Sequence, residues 1–388
     1  MLPRLGGGGK DGINHIESWN TLCEKTANTI EYKIRQIYSI LPQTKSNSIQ
    51  NNKSIIQTEI DAFTSSDLLK KVYALRTQTN ILCVCLVELY VTPVPFMKTI
   101  RPGQVLELMK TVSEVRMTQL AIGLAHENKV VLAVLPDIYV SLVQLMNDFL
   151  RFGTQDLALF VPDFIEFIIQ ALSDIRQIGG IRQHGVKSFS FLKESLYKLL
   201  IVLCNVFGAG VGIEKYGNDI IPYIVSEFVP ANETVTLTVT GTANSNISKN
   251  QKKKSSNQYL GVHLLNHESI QKRSNSSLVS ISLLAISAML NSCGSFITEA
   301  CHKNIQSCIL GTCLEVQQSS IQGKPVPFAD YECRSSLYQT LFSLLSNPHP
   351  RWPAPFRYAH QVFRDGHQNE HHPQVRAICL QGNILYIN

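Results

Sequence analysis

Phe164-Ile-Glu-Phe-Ile-Ile-Gln-Ala-Leu-Ser-Asp-Ile175 places Phe164, Phe167, Ile168, Ala171, Leu172 and Ile175 at i, i+3, i+4, i+7, i+8 and i+11. That spacing gathers the apolar side chains on one face of a helix, whereas a strand would need alternation every two residues. Working outward, Leu192, Leu196, Leu199, Leu200, Leu203 and Phe207 repeat the pattern. Upstream, helices are predicted over 14–41, closed by Pro42, over 66–91, closed by Pro93 and Pro95, and over 104–126 and 137–151. Downstream they are predicted over 278–290, 297–316 and 334–345, with a last pair after the Pro-rich corner Pro348–Pro355. Thr234–Thr240 alternates Thr and Val, but it leads into a polar tract and reads as extended loop.

Three short stretches share a theme. Val134-Leu-Pro-Asp-Ile138, Phe160-Val-Pro-Asp-Phe164 and Ile220-Ile-Pro-Tyr-Ile224 each set a proline after an apolar pair, with an aliphatic or aromatic residue two positions on. Proline in a first helical turn costs no hydrogen bond, so each predicts a fresh helix after a corner. Paired helices joined by corners build armadillo- and HEAT-type arrays. The expected fold is therefore all-α: an irregular armadillo/HEAT-like α-solenoid with a disordered insertion. A flexible segment covers 1–13, a first helical block 14–229, a Lys/Ser/Asn-rich insertion 230–277 and a second block 278–388. The insertion carries too few large apolar residues to fold alone.

Of the 388 residues, 44% are apolar and 16% charged, a balance that suits helices buried on more than one side. A formal net charge of +6 is too small to imply a nucleic-acid partner by itself. Ten irregularly spaced cysteines, several inside apolar helical runs, and an N-terminus without an apolar signal core favour free thiols in a reducing compartment. The apolar runs 81–91 and 199–207 are shorter than the roughly 20 residues a membrane span needs, so no membrane partner is expected.

The candidate chemistry is sparse. Cys293, Cys301, His302, Cys308 and Cys313 lack the tight spacing of a zinc knuckle and read as buried residues, with no metal or cofactor expected. Of the histidines His360, His367, His371 and His372, the last two are adjacent on a polar stretch that reads as a solvated loop, with no carboxylate expected at ligand spacing. No nucleophile elbow or phosphate-binding loop occurs, and Gly208-Ala-Gly-Val-Gly212 follows a helix, which makes it a helix cap and turn. No enzyme is expected.

Two Leu-x-x-Leu-Leu segments occur: Leu196, Leu199 and Leu200, and Leu341, Leu344 and Leu345. On an exposed amphipathic helix that spacing offers three leucines to a groove such as that of a nuclear receptor. The same leucines also lie on stripes that an array would bury. Lys249, Lys252, Lys253 and Lys254 form a candidate nuclear import signal or a solvated linker. Arg351, Arg357, Arg364 and Arg376, with Trp352 and Tyr358, make the C-terminal block the candidate for RNA or phosphate contact.

The residues become specific in the second block. Glu332-Cys-Arg-Ser-Ser-Leu-Tyr-Gln-Thr-Leu-Phe-Ser-Leu-Leu345, the corner after it and Ala359-His-Gln-Val-Phe-Arg-Asp-Gly366 resemble the proline-, glutamic acid- and leucine-rich protein family. So do Leu283–Val316, the polar Lys-containing insertion, and the opening Leu2-Pro-Arg-Leu-Gly-Gly with Gly12-Ile-Asn-His15. The resemblance implies an armadillo-like domain shared with the yeast Rix-type pre-ribosome factor. It further implies a scaffold for a WD-repeat protein and a HEAT-type protein, joined in animals by a SUMO protease and a Las-type nuclease partner. Such a complex acts on large-subunit precursors in the nucleolus and nucleoplasm. It also implies nuclear receptor binding through Leu-x-x-Leu-Leu motifs. Two family features have no counterpart in the sequence: an acidic, proline-rich tail and the helical material before Leu2. The chain is accordingly expected to be a fragment or a shortened product, without the tail's functions.

The expected function is a non-enzymatic scaffold in large ribosomal subunit biogenesis and pre-rRNA processing. A receptor coregulator and a HEAT-like transport adaptor are the alternatives.

Overall fold

The computed structural model describes residues 13–42, 65–92, 101–152, 155–181, 187–229, 276–319 and 327–387. Segment 1–12, most of the insertion and Thr234–Thr240 lie outside these residues. Among those described, every regular element is helical and none is a strand.

Thirteen α-helices are described, in chain order. They are α1 (Ile13–Tyr38), α2 (Ser65–Val91), α3 (Pro102–Ser113), α4 (Met117–Ile122), α5 (His126–Phe152), α6 (Val161–Ile181) and α7 (Lys187–Phe207). After them come α8 (Gly217–Val225), α9 (Ser276–Cys293), α10 (Glu299–Gln318), α11 (Tyr331–Ser346), α12 (Phe356–Asn369) and α13 (Pro373–Ile387).

The helices pack in two rows. In the first, α1, α2, α5, α7, α9, α11 and α13 lie side by side in that order, and each has its substantial row contacts with immediate neighbours alone. The second row holds α3 and α4, then α6, α8, α10 and α12. From α5 onward the chain alternates between rows, as apolar faces of successive helices would require to be buried against each other. Helix α6 shows how the sequence dictates this: all six residues of its opening stripe are buried. Trp19 fixes the start of the first row. It is fully buried on α1, donates from Nε1 to the Leu89 carbonyl of α2 at 3.2 Å, and meets the Tyr90 ring edge-on. Tyr90 in turn meets Phe149 of α5.

The proline theme holds at one corner and fails at two. Pro162 stands in the first turn of α6, as expected. Pro136 and Pro222 instead lie inside α5 and α8. Each forfeits a hydrogen bond there, which flanking burial of Val134, Leu135 and Ile138, or of Ile220, Ile221 and Ile224, outweighs. The expected helix over 104–126 is also broken in two. Arg116 takes an extended conformation and forks onto Asp174 of α6, with Nη2 to Oδ1 at 2.7 Å, while the Met117 amide donates to Oδ2 at 3.3 Å. The buried carboxylate thus caps α4 from another helix.

Gly208 closes α7 in the left-handed conformation (φ 64°), with its N–H on the Cys204 carbonyl at 3.0 Å, so the Gly208–Gly212 stretch is a cap and turn.

Helices α9 and α11 run parallel along a polar seam. Cys333 Sγ donates to the Ser276 carbonyl (3.0 Å), Ser280 and Ser336 share a hydroxyl bond (2.8 Å), Thr340 donates to the Leu283 carbonyl (2.9 Å), and Ser287 pairs with Ser343 (2.7 Å). Asn347 Nδ2 reaches Asn291 Oδ1 at 2.9 Å. Partners stay 56 or 57 residues apart from end to end, which only two parallel helices in one register allow. A second link, Ser292 Oγ to the Cys204 carbonyl at 2.9 Å, joins α9 to α7 across the insertion.

Two helical segments, His126–Arg151 and Ser276–Phe296, are long and apolar enough to cross a membrane by length and composition. Both belong to the first row, and most of each apolar window (72% and 67%) is buried against neighbouring helices.

Candidate interaction surface

The six leucines of the Leu-x-x-Leu-Leu segments are core. Leu196, Leu199, Leu200, Leu341 and Leu344 are wholly buried, and Leu345 is 5% exposed. The reason is positional: α7 and α11 each have row neighbours on both sides and second-row helices behind, which leaves one narrow free face. Docking of these leucines into a partner's groove therefore fails in the folded chain. Lys249, Lys252, Lys253 and Lys254 lie outside the described residues.

The suspected metal ligands do not converge. Cys293 and Cys301 face each other electrostatically near the start of α10, whereas Cys313, further along that helix, faces Cys379 of α13. Among the described residues, no three His, Cys, Asp or Glu side chains gather as a metal site. All ten cysteines are free, and only Cys85 and Cys308 are half-buried, the rest being buried. Burial pushes Cys301 up to about 11 and Cys83, Cys293 and Cys333 to about 12. Those four are held as thiols, poor nucleophiles and poor ligands. His302 is wholly buried beside the Asn347 carbonyl (3.4 Å), and that burial lowers its pKa.

The loop expected at His371 and His372 is present, but the other two histidines are helical. His360 and His367 ride on α12, and only His371 and His372 occupy the corner before α13. A carboxylate does stand beside them, contrary to the expectation, but it is turned inward. Glu370 Oε2 and Oε1 accept from Arg334 Nε and Nη2 at 2.8 and 3.1 Å, with the two side chains 3% and 9% exposed. Arg334 Nη1 also donates to the Phe328 and Ala329 carbonyls, and Glu370 Oε1 accepts the His371 amide. This lock ties the α12–α13 corner to α11. Glycines complete the joint: a Cβ on Gly366 would meet Cys379 Sγ at 2.7 Å, and one on Gly382 would meet the Phe363 ring at 2.5 Å.

The candidate RNA-contact residues are spread over the same end. Arg351, Arg357, Tyr358, Arg364 and Arg376 are exposed. Trp352 is engaged instead, donating to Gln306 at 2.9 Å with Lys303 Nζ 3.9 Å from its ring centre.

The concave feature of interest lies on the free face of the first row. A groove of about 520 Å³ crosses α5, α7, α9 and α11. Its apolar floor includes Ile201, Val202, Ile281 and Leu284. Five carboxamides line it: Gln144 and Asn147 of α5, Asn205 of α7, Asn291 of α9 and Gln339 of α11. Arg151 and Lys198 supply positive charge, and no carboxylate is among the lining residues. Lys198 pairs with Glu194 at 2.7 Å, while Arg151 is exposed with no ion-pair partner among the described residues. Asn147 is 5% exposed and its Oδ1 has no hydrogen-bond donor among the described residues. Nothing in the linear sequence marks this groove, because its carboxamides come from four helices separated by up to about 200 residues.

No protein-family model matches the chain. It is 22% identical over 377 residues to proline-, glutamic acid- and leucine-rich protein 1 of Xenopus laevis, a match that covers 95% of this chain and 36% of that protein. The Mus musculus protein of the same name is 22% identical over 399 residues, covering 99% of this chain and 34% of that protein. The chain spans about a third of the length of these curated relatives. Along nearly its whole length, then, this chain is distantly similar to proline-, glutamic acid- and leucine-rich protein 1.

Proposed function

We propose that the chain is a non-enzymatic α-solenoid scaffold that holds protein partners of a Rix-type nuclear complex acting on large ribosomal subunit precursors. The similarity to two relatives over nearly all of the chain carries this reading. The packing supports the solenoid part. Two rows with neighbour-on-neighbour contacts, and parallel register between α9 and α11, are what stacked helix pairs would give. Such an array offers long surfaces at little cost in stability, because each helix pair needs only its neighbours to fold. In this reading the partners are a WD-repeat protein and a HEAT-type protein, the site of action is the nucleolus and nucleoplasm, and Lys249, Lys252, Lys253 and Lys254 act as the import signal. Receptor coregulation through the two leucine motifs is disfavoured by their burial.

Affinity purification of the tagged chain from nuclear extract, with mass spectrometry, tests the proposal. Recovery of a WD-repeat protein together with large-subunit assembly factors is expected. Receptors or transport factors without ribosomal precursors would overturn it.

A further inference from the structure

From the lining of the first-row groove we infer that it binds an extended, acidic segment of a partner protein, with the carboxamides pairing to the bound backbone. The inference rests on the scaffold reading and names the kind of ligand it would hold.

A carboxamide carries both donor and acceptor, as a peptide group does, so a row of them can pair with a backbone whatever its sequence. Row helices lie about 8–10 Å apart, and an extended chain rises about 3.3 Å per residue. A segment crossing the row would meet a new helix at roughly every third residue. Asn147 on α5, Asn205 on α7, Asn291 on α9 and Gln339 on α11 supply one carboxamide per helix along that path.

The strongest pointer is Asn147. A buried acceptor without a donor is costly, and this one faces a groove wide enough to admit a chain. The oxygen is closed to solvent in the free chain, and a small turn of the side chain toward the groove would let a backbone N–H laid across α5 satisfy it. Side chains of an extended segment alternate in direction, so every second one would rest on the apolar floor of Ile201, Val202, Ile281 and Leu284.

Charge selects the segment. With Arg151 unpaired among the described residues and no carboxylate in the lining, an acidic residue finds a partner at the α5 end, while a basic one meets repulsion. Two cations, one on α5 and one on α7, are a weak match for a phosphate backbone, which argues against nucleic acid.

The probes are fluorescein-labelled nonapeptide pools with valine at alternate positions, carrying fixed glutamates, fixed lysines, or glutamates with an N-methylated backbone. Binding to the purified full chain is read by polarisation. The glutamate pool is expected to bind at least about tenfold more tightly than the other two. Arg151→Glu should invert the preference to lysine. Asn147→Leu should weaken the glutamate pool about tenfold. Asn205→Ala with Gln339→Ala, both at exposed positions that cannot unfold the array, should do likewise. Equal binding of methylated and unmethylated pools, indifference to these variants, or displacement by a uridine oligonucleotide dependent on Arg151 would overturn the inference. Co-purification separates it from the scaffold reading. If the wild-type chain recovers partners and the groove variants recover all of them equally, the groove inference fails and the scaffold stands. If the wild-type chain recovers none, the scaffold reading itself fails.

Discussion

Removing the charge of Glu370 while keeping its shape, as Glu370→Gln does, should cost about 3–5 kcal/mol, the range for breaking a buried ion pair. The magnitude follows from what remains. The guanidinium of Arg334, 9% exposed, would keep its charge and face two carbonyls and a neutral amide. Arg334→Met should cost more, because it orphans the Phe328 and Ala329 carbonyls as well as the Glu370 carboxylate, at about 1–3 kcal/mol for each buried unsatisfied group. Arg334→Met combined with Glu370→Gln should cost less than the sum of the two by about 2–3 kcal/mol, since the double variant leaves no buried charge. Helices that contact mainly their immediate neighbours need not unfold as one unit, so the assay is hydrogen exchange followed by peptide. Protection should fall across α11 to α13 and stay unchanged in α1 to α6. Additivity of the two substitutions within about 0.5 kcal/mol, or uniform loss of protection along the chain, would refute the reasoning.

Leu199→Ala and Leu344→Ala should each destabilise their part of the array by about 2–5 kcal/mol, measured by denaturant titration; native-like stability would restore the docking reading. In the native protein, a thiol reagent at neutral pH should label Cys85 and Cys308 and spare the eight buried cysteines until denaturant is added, counted by mass spectrometry. His302, whose burial lowers its pKa, binds a proton more readily when unfolded. Its contribution to stability is thus fully present above the unfolded pKa of about 6.5 and is lost as the pH falls below it. His302→Gln should flatten the decline in melting temperature between pH 7 and pH 5.5, and an unchanged slope would assign that decline to other groups.

The helices were legible wherever one face alone is buried, as in α6 and α7, because burial on one side writes a period of 3.6 into the sequence. Corners were harder. Pro162 and Pro136 stand in nearly identical local sequences, Val-Pro-Asp and Leu-Pro-Asp, yet one begins a helix and the other lies within one. Tertiary burial decided between them, and five residues do not contain that information. The break at Arg116 depends on a carboxylate 58 residues away. Glu370 was hidden by its neighbours: beside two histidines and after a run of polar residues it reads as surface, while its partner Arg334 lies inside an apolar stretch that gave no warning of a charge to be matched. The seam had a visible trace, hydroxyls at Ser280, Ser287, Ser336, Thr340 and Ser343 spaced by three, four or seven among apolar residues, but pairing them requires knowing that α9 and α11 are adjacent. The groove had no trace at all.

The seam also decides where the array can yield. Sliding α11 along α9 by one turn, about 5.4 Å, would part Ser287 from Ser343 and Ser280 from Ser336, stranding hydroxyls among leucines. An interface of leucine on leucine carries no such penalty and tolerates small shear. Stiffness is therefore distributed unevenly along the first row. The α9–α11 joint resists translation and behaves as a splint, and deformation of the first row on loading falls to joints that lack such a seam.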